Sequence, residues 1–314
     1  MRIQIISHTI KGNTDKLIGR WSIIPHYFRK QGNEVDHILR NEWSNFFKRH
    51  NKFNPDVLIT AGPIGALIGL MRRIGLVKVP VVHDWNDNYT DVFRGPIKSK
   101  IAGLLENFAV KSSDAVITPS IYRLNKGKSL GKIENKTIFY LPHGVKEFFF
   151  KHHKPINLPG KNKTKILYVG EVAPFKRIHL LIKELNNKPI DFIVIGNIDQ
   201  SIKAESADNI HFIGKKPSEE VPRYLKSANF LVLTEDNDSA LKLMEYLTTN
   251  VPILAPEGRL RLMKRYFPRI IIYDNFKSIE KLLKEKSKAG RNNRKPEIWS
   301  NTVKKYISIL SRLK

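Results

Sequence analysis

Two strand-to-helix loops hold residues able to bind a phosphorylated ligand. The first, GEVAPFKR (Gly170–Arg177), directly follows the apolar run KILYV. A loop at such a place offers backbone N–H groups from Gly170 onward and, in Lys176, a cation for a phosphate. The second, LTEDNDSALKLME (Leu233–Glu245), runs from an apolar strand through an acidic turn into a helix beginning near Ser239 or Ala240. Ser239 suits the N-cap, and the first-turn N–H groups around Ala240 and Leu241 suit a phosphate. Glu245, about one and a half turns into that helix, offers a carboxylate to the two hydroxyls of a ribose. Spacing alone leaves plainer alternatives open: a surface lysine after a turn, and an exposed helical glutamate. His83, in PVVHDWNDNY, stands at a strand end with Asp84 and Asp87 after it, where a ligand contact and a structural histidine are both open readings. Gly62, Gly65 and Gly69 do not fit G-x-G-x-x-G and read as close helix–sheet packing rather than a dinucleotide site.

The elements that must position these residues alternate between strand and helix. Strands are expected at Arg2–Ser7, Glu34–Leu39, Asp56–Thr60, Val79–His83, Ala115–Thr118 and Thr137–Leu141. Helical periodicity marks Thr14–Gln31, Gly65–Ile74 and Ile101–Lys111. The pattern breaks over Lys146–Lys165, which is rich in polar residues, Pro and Gly and reads as a linker. It restarts with strands at Lys165–Val169, Asp191–Ile195, Ile210–Ile213, Phe230–Leu233 and Val251–Ala255. The helices between them are His179–Leu185, Pro217–Ser227 and Ala240–Thr248, and Trp299–Leu313 closes the chain as an amphipathic helix. Such alternation predicts α/β architecture: two Rossmann-like, doubly wound parallel-sheet domains facing a cleft, with ligands at the carboxyl ends of the strands. The expected domains are residues 1–150 with helix 297–314, and residues 160–296.

Composition sets the limits on function. The chain has 314 residues, is 41% hydrophobic and contains no cysteine. It therefore has enough apolar residues for full-sized cores, and disulfides, thiolate zinc sites and a cysteine nucleophile are excluded. The opening residues show no secretory leader, and the longest run free of charge, Val57–Met71, is too short for a membrane span, so a cytoplasmic chain is expected. The formal net charge is +26, spread evenly over both halves. Such an excess suits nucleic acid, an anionic membrane surface, phosphorylated substrates or simply solvated faces. No RRM, zinc-finger or basic-zipper pattern accompanies it, so nucleic acid is not an expected partner.

Residues 165–256 resemble the C-terminal domain of retaining GT-B glycosyltransferases of the family 4, or group 1, type. That family ends a strand in G-R-x(4)-K-G, matched in spacing by Gly170 and Lys176. FIVIG with Gly196, IHFIG (Ile210–Gly214), YLKSAN (Tyr224–Asn229) and SALKLMEYLTTNVPILA follow in the family's order. The chain departs from the pattern at Glu171, where the family has Arg, at Arg177, where it has Gly, and at Asn237, where the first Glu of the paired-glutamate motif would stand. In the first half, PVVHDWNDNY, SSDAVITPS and TIFYLPHGV resemble family segments, and Gly12-Asn13 echoes a Gly-rich loop that approaches the donor phosphates.

The resemblance implies transfer of a sugar, with retention, from a UDP- or GDP-sugar to a glycan, lipid-linked or polysaccharide acceptor, with no further cofactor. It implies that Lys176, Arg177 and the helix start at Ser239–Leu241 stabilise the leaving diphosphate, that Glu245 holds the ribose and that His83 contacts the sugar. Asp238, Asp236 or the amide of Asn237 takes the place of the missing Glu, and the base lies near Phe212–Gly214. Asp236-Asn237-Asp238 also has the D-x-D form that binds a metal in GT-A enzymes, but the second Rossmann-like unit favours GT-B and no metal. A non-catalytic basic binding protein and a nucleotide-sugar epimerase of the same architecture are the alternative functions. A peripheral site for an anionic membrane is expected in the first half. Gly65–Ile74 with Leu76 and Val77 is flanked by Arg72, Arg73 and Lys78, and Arg94, Lys98 and Lys100 precede a helix whose Ile101, Leu104, Leu105 and Phe108 share a face. The alternative is that both faces pack on the sheet.

Overall fold

The computed structural model describes residues 1–8, 19–92, 95–130, 137–173, 176–197, 207–284 and 294–313. Gly12 and Arg94 lie outside the described residues. The chain divides into two compact units, Met1–Gly144 with Glu297–Lys314, and Val145–Pro296.

The first unit runs β1 (Arg2–Ile6), α1 (Arg20–Lys30), β2 (Glu34–Ile38), α2 (Phe46–Phe53), β3 (Val57–Ala61), α3 (Ile64–Arg73) and β4 (Val81–Asp84). It continues with α4 (Tyr89–Val92), α5 (Pro96–Ser112), β5 (Ala115–Thr118), α6 (Ile121–Ser129) and β6 (Thr137–Tyr140). Its six strands are parallel and ordered β2-β1-β3-β4-β5-β6. VLITA and AVIT are buried along their whole length, as strands covered by helices on both faces must be. α5 begins earlier than periodicity indicates, because Pro96 follows Gly95 and suits the first helical turn. α6, which hydropathy alone does not mark, is started by Ser120, whose Oγ accepts the Arg123 N–H at 3.0 Å.

The second unit runs β7 (Lys165–Val169), α7 (Ile178–Leu185), β8 (Asp191–Ile195), β9 (Ile210–Gly214), α8 (Val221–Ser227), β10 (Phe230–Val232) and α9 (Leu241–Tyr246). It ends with β11 (Ile253–Pro256), α10 (Leu260–Lys264), β12 (Ile270–Tyr273) and α11 (Ile279–Lys284). The parallel order is β12-β11-β10-β7-β8-β9. The first strand therefore lies beside the fourth, and the winding reverses between β7 and β10. Buried Ile178, Leu181, Ile182 and Leu185 give α7 one apolar stripe, which packs with Tyr168, Phe192, Val194 and Val232 in one core. The α/β expectation of two doubly wound parallel sheets is met. The strand Ile270–Tyr273 was not anticipated, although its run IIIY is as short and continuous as the expected strand AVIT.

The final helix, α12 (Trp299–Ser311), belongs to the first unit, and a buried charge cluster holds it there. Asp84, at the end of β4, receives Arg20 Nη2 at 2.8 Å and the Tyr306 hydroxyl at 3.0 Å. Arg20 also meets His143 Nδ1 at 3.2 Å, and Tyr306 stands edge-on to Phe28 at 5.3 Å. Burial raises the pKa of Asp84, while Arg20 and Tyr306 oppose that shift by favouring its charge. Removing one partner of such a pair strands a buried charge. Asp84→Ala is therefore expected to cost about 3–5 kcal/mol in urea unfolding and to expose α12 to hydrogen exchange. A loss within about 0.5 kcal/mol, the usual range for surface substitutions, would show that the cluster does not anchor the helix.

Candidate functional site

The two sequence loops meet at the reversal in the second unit. β7 pairs with β10 through Ile166–Phe230 and Leu167–Leu231. Gly170–Lys176 follows β7 and Leu233–Glu245 follows β10, so both loops leave the sheet at the same edge. Here Gly170 and Gly196 take positive φ of 151° and 150°. A Cβ on Gly196 would lie 1.8 Å from the Gly170 carbonyl oxygen. Only glycine admits so close an approach of the two strand ends. Gly170 N–H donates to Ile195 O at 2.8 Å and Gly196 N–H to Gly214 O at 3.1 Å, which binds the ends of β7, β8 and β9 to one another.

A cavity of about 260 Å³ opens beside these glycines, lined among others by Gly170, Gly196, Lys215, Lys216, Ser218 and Glu245. A larger cavity, about 430 Å³, is lined by Asn229, Val251 and Pro252, which precede β10 and β11. It opens at the amino ends of those strands, the end that open α/β sheets do not use for ligands.

Charge is concentrated around Gly170. Lys176 Nζ lies 2.8 and 2.9 Å from the two carboxylate oxygens of Glu235, and its side chain is 24% exposed. It is thus engaged at the site rather than freely solvated. Lys242 Nζ lies 3.9 Å from the centroid of the Tyr168 ring, and a Cβ on Gly170 would meet it at 2.5 Å. Burial pushes the Lys242 pKa down to about 8, with Glu235 opposing and Lys176 adding to the shift. Glu245 is half-buried, not an exposed helical residue, and burial pushes its carboxyl up to about 7 against the pull of Lys146 and Lys242. Two cations and two carboxylates thus share a poorly solvated corner, where charge interactions are strong.

Other expected residues are placed as follows. Ser239 is not the N-cap: the cap is Ala240 and α9 begins at Leu241. Ser239 N–H and Oγ both bond to Asn237 Oδ1, at 3.1 and 2.9 Å, so Asn237 closes the turn that precedes the helix. Asp238 is buried in that turn, at 1% exposure. Asp236 Oδ1 accepts the Leu260 N–H at 3.0 Å and so is used in starting α10. Among the described residues no group of three His, Asp or Glu is placed to hold a metal ion. Arg177 is exposed and left-handed, with φ 57°, at the position where the family has its Gly. Phe212 packs against the core, and Gly214 ends β9 with φ 76°. His83, in the first unit, is fully enclosed: Thr60 Oγ1 lies 3.0 Å from Nδ1 and the Tyr89 hydroxyl 3.3 Å from Nε2. Burial lowers its pKa to about 4, so the ring is neutral.

Sequence reasoning missed Lys242 and Glu235. The available signal was the i, i+3 spacing of Lys242 and Glu245, which sets both on one face of a short helix.

Residues 149–306 match the sequence model of the glycosyl transferases group 1 family, which is half of the chain. None of the curated proteins matches the chain in sequence. Among solved structures, a sucrose-phosphate synthase from Thermosynechococcus elongatus superposes with a TM-score of 0.68 at 14% identity, covering 98% of this chain and 94% of its own. Anabaena Alr3699/HepE in complex with UDP-glucose gives 0.63 at 12%, covering 99% and 95%. UDP-GlcNAc 2-epimerase from Neisseria meningitidis bound to UDP-GlcNAc gives 0.60 at 13%, covering 99% and 100%. At such identities the likeness concerns the fold, which is GT-B. With the family model spanning the β7–β10 site and both loops around it, the chain belongs to the group 1 glycosyltransferases.

Proposed function

We propose that the chain transfers a sugar, with retention of configuration, from a nucleotide-diphosphate sugar to a glycan or lipid-linked acceptor, in the cytoplasm at the inner face of a membrane. The observation that carries this reading is the meeting of Lys176, Lys242 and Glu245 around Gly170, where the winding of the second sheet reverses. UDP-sugars are the donors of choice for testing it, because two of the structural neighbours are described with UDP-glucose and UDP-GlcNAc.

In this mechanism the diphosphate sits against Gly170 with Lys176 and Lys242 as its cations. The N–H groups near Ala240 and Leu241 and the Arg177 guanidinium at the mouth of the loop add to them. As the bond from the anomeric carbon to the diphosphate oxygen breaks, that oxygen gains charge, and the cations stabilise it. The acceptor hydroxyl attacks from the same face, loses its proton to the departing phosphate oxygen and forms the new glycosidic bond. Lys176 exchanges its Glu235 partner for phosphate when donor arrives. Glu245 accepts both ribose hydroxyls, the base lies beside Phe212–Gly214, and Asp238 orients the sugar hydroxyls. The ring nitrogens of His83 are already engaged by Thr60 and Tyr89, which leaves its backbone as the group it would offer a ligand.

The alternative of an epimerase rests on the Neisseria neighbour, and product analysis decides it. Incubation with UDP-sugar and no acceptor is expected to leave the sugar's configuration unchanged, whereas an epimerised nucleotide sugar would overturn the transferase reading.

Lys176→Ala is expected to lower transfer more than 100-fold, on the order of 3 kcal/mol of lost charge stabilisation, with the fold intact. Near-normal turnover in this variant would remove Lys176 from the site. Lys242→Met is expected to weaken UDP-glucose binding by about tenfold or more in calorimetry, whereas Arg177→Gly, at the exposed left-handed position, changes it less than about threefold. The reverse order would make Arg177 the principal second cation.

The pH dependence of UDP-glucose affinity has a definite sign. Glu245 accepts the ribose hydroxyls when ionised, so affinity falls as pH drops below about 7. Lys242 holds the diphosphate when protonated, so affinity falls again above about 8. The two groups interact, so the limbs belong to the pair. A maximum between these limbs is expected, and Glu245→Gln removes the acid limb while lowering affinity. A flat profile in the parent protein, or an unchanged acid limb in Glu245→Gln, contradicts the ribose role.

A further inference from the structure

Helices α3 and α5 present more apolar surface than their sheet can cover. α3 buries Ile64 and Ile68 against the first unit's core, yet Leu67, Leu70 and Ile74, at i, i+3 and i+7, form an exposed stripe. α5 buries Ala102, Glu106 and Ala109, while Ile97, Ile101 and Leu104, at i, i+4 and i+7, form a second. Ile97 is 73% exposed, Leu104 64% and Ile74 62%. Leu76, after α3, and Leu105 widen the two stripes, whereas Val77, placed on this face by sequence reasoning, is buried in the core.

The two helices are packed together. A Cβ on Gly69 would lie 1.8 Å from Ser112 Oγ, and the Arg73 guanidinium lies 5.1 Å from the Phe108 ring centroid. The stripes therefore lie on neighbouring helices of one unit. Exposed apolar residues grouped in this way mark an interaction site rather than scattered surface residues.

Charge chooses the partner. The one acidic residue within α3 and α5 is Glu106, and it is buried, accepting the Tyr89 N–H and bridging Lys126. The cations beside the stripes are Arg72, Arg73, Lys78, Lys98, Lys100 and Lys111, of which Arg72 bridges Asp114 at 3.0 Å. A second copy of the chain would bring the same cations against these across a two-fold axis, and they would repel. Anionic lipid headgroups accept the basic rim while the exposed leucines and isoleucines enter the headgroup–acyl boundary.

We propose that this face of the first unit docks reversibly on an anionic lipid bilayer. The proposal rests on the transfer reading for its purpose, which is to bring the enzyme to a lipid-linked acceptor. The docking itself needs neither donor nor acceptor, so the two readings fail separately.

Flotation of the full chain with phosphatidylcholine vesicles, with and without phosphatidylglycerol, tests it. The protein is expected to float with the anionic vesicles at low salt, to be released as salt rises, and to stay at the bottom with phosphatidylcholine alone. Ile97→Ser with Leu104→Ser, and separately Lys98→Glu with Lys100→Glu, are each expected to lower partitioning about tenfold or more, with unchanged thermal melting and UDP-glucose affinity. Parent protein left at the bottom with anionic vesicles, or either double variant floating as the parent does, overturns the proposal. So does a dimer in solution that the Ile97/Leu104 variant abolishes while neither protein binds vesicles.

Discussion

The parallel pairing of β7 with β10 is the constraint on which the second unit's chemistry depends. It places the first and fourth strands of one winding side by side, so two loops far apart in sequence leave the sheet at a common edge. No other pair of neighbouring strands in that sheet sends its crossovers in opposite directions. The gap left between such crossovers is where open α/β sheets admit a ligand. Gly196 then lets the strand ends close to a distance that any side chain would block. Substitution there would disturb the strand ends, whereas a Cβ on Gly170 would first meet the Lys242 ammonium.

The charges at that edge are held in mutual tension. Burial penalises the ammonium of Lys242 and the carboxylate of Glu245 alike, and each partly relieves the other. Lys176 is neutralised by Glu235, so the empty site does not leave a bare cation facing a poorly solvated pocket. In the proposed mechanism an incoming diphosphate would offer negative charge to both lysines at once and take the place of Glu235 at Lys176.

Much of this was legible in the sequence, for physical reasons. The apolar runs of a covered parallel sheet are nearly continuous, so KILYV, DFIVI and VLITA identify themselves as strands. Gly170, Lys176 and Glu245 stood out through the family resemblance of the segments that hold them, since spacing alone equally allows a surface lysine and an exposed helical glutamate. Ser239 was misjudged because Asn237 takes both its N–H and its hydroxyl into a tight turn, which moves the helix start to Leu241. Glu235 was invisible to pattern and Lys242 showed only as the i, i+3 neighbour of Glu245, since a lysine on a ring face and a carboxylate bridging a lysine are tertiary facts. The burial of both His83 nitrogens depends likewise on Thr60 and Tyr89, which approach from different parts of the chain. The exposed stripes on α3 and α5 were half legible: periodicity gives an apolar face but not whether a sheet covers it, as Val77 and Leu76 show by parting company.

The central claim is one of place: nucleotide binds at the carboxyl edge of β7 and β10. Hydrogen–deuterium exchange of the full chain with and without UDP tests it most directly. The expected result is slowed exchange concentrated in Gly170–Arg177 and Leu233–Glu245, with little change around Asn229 and Val251–Pro252 at the larger cavity. Protection centred on that cavity, or none in either loop at saturating nucleotide, would contradict the account.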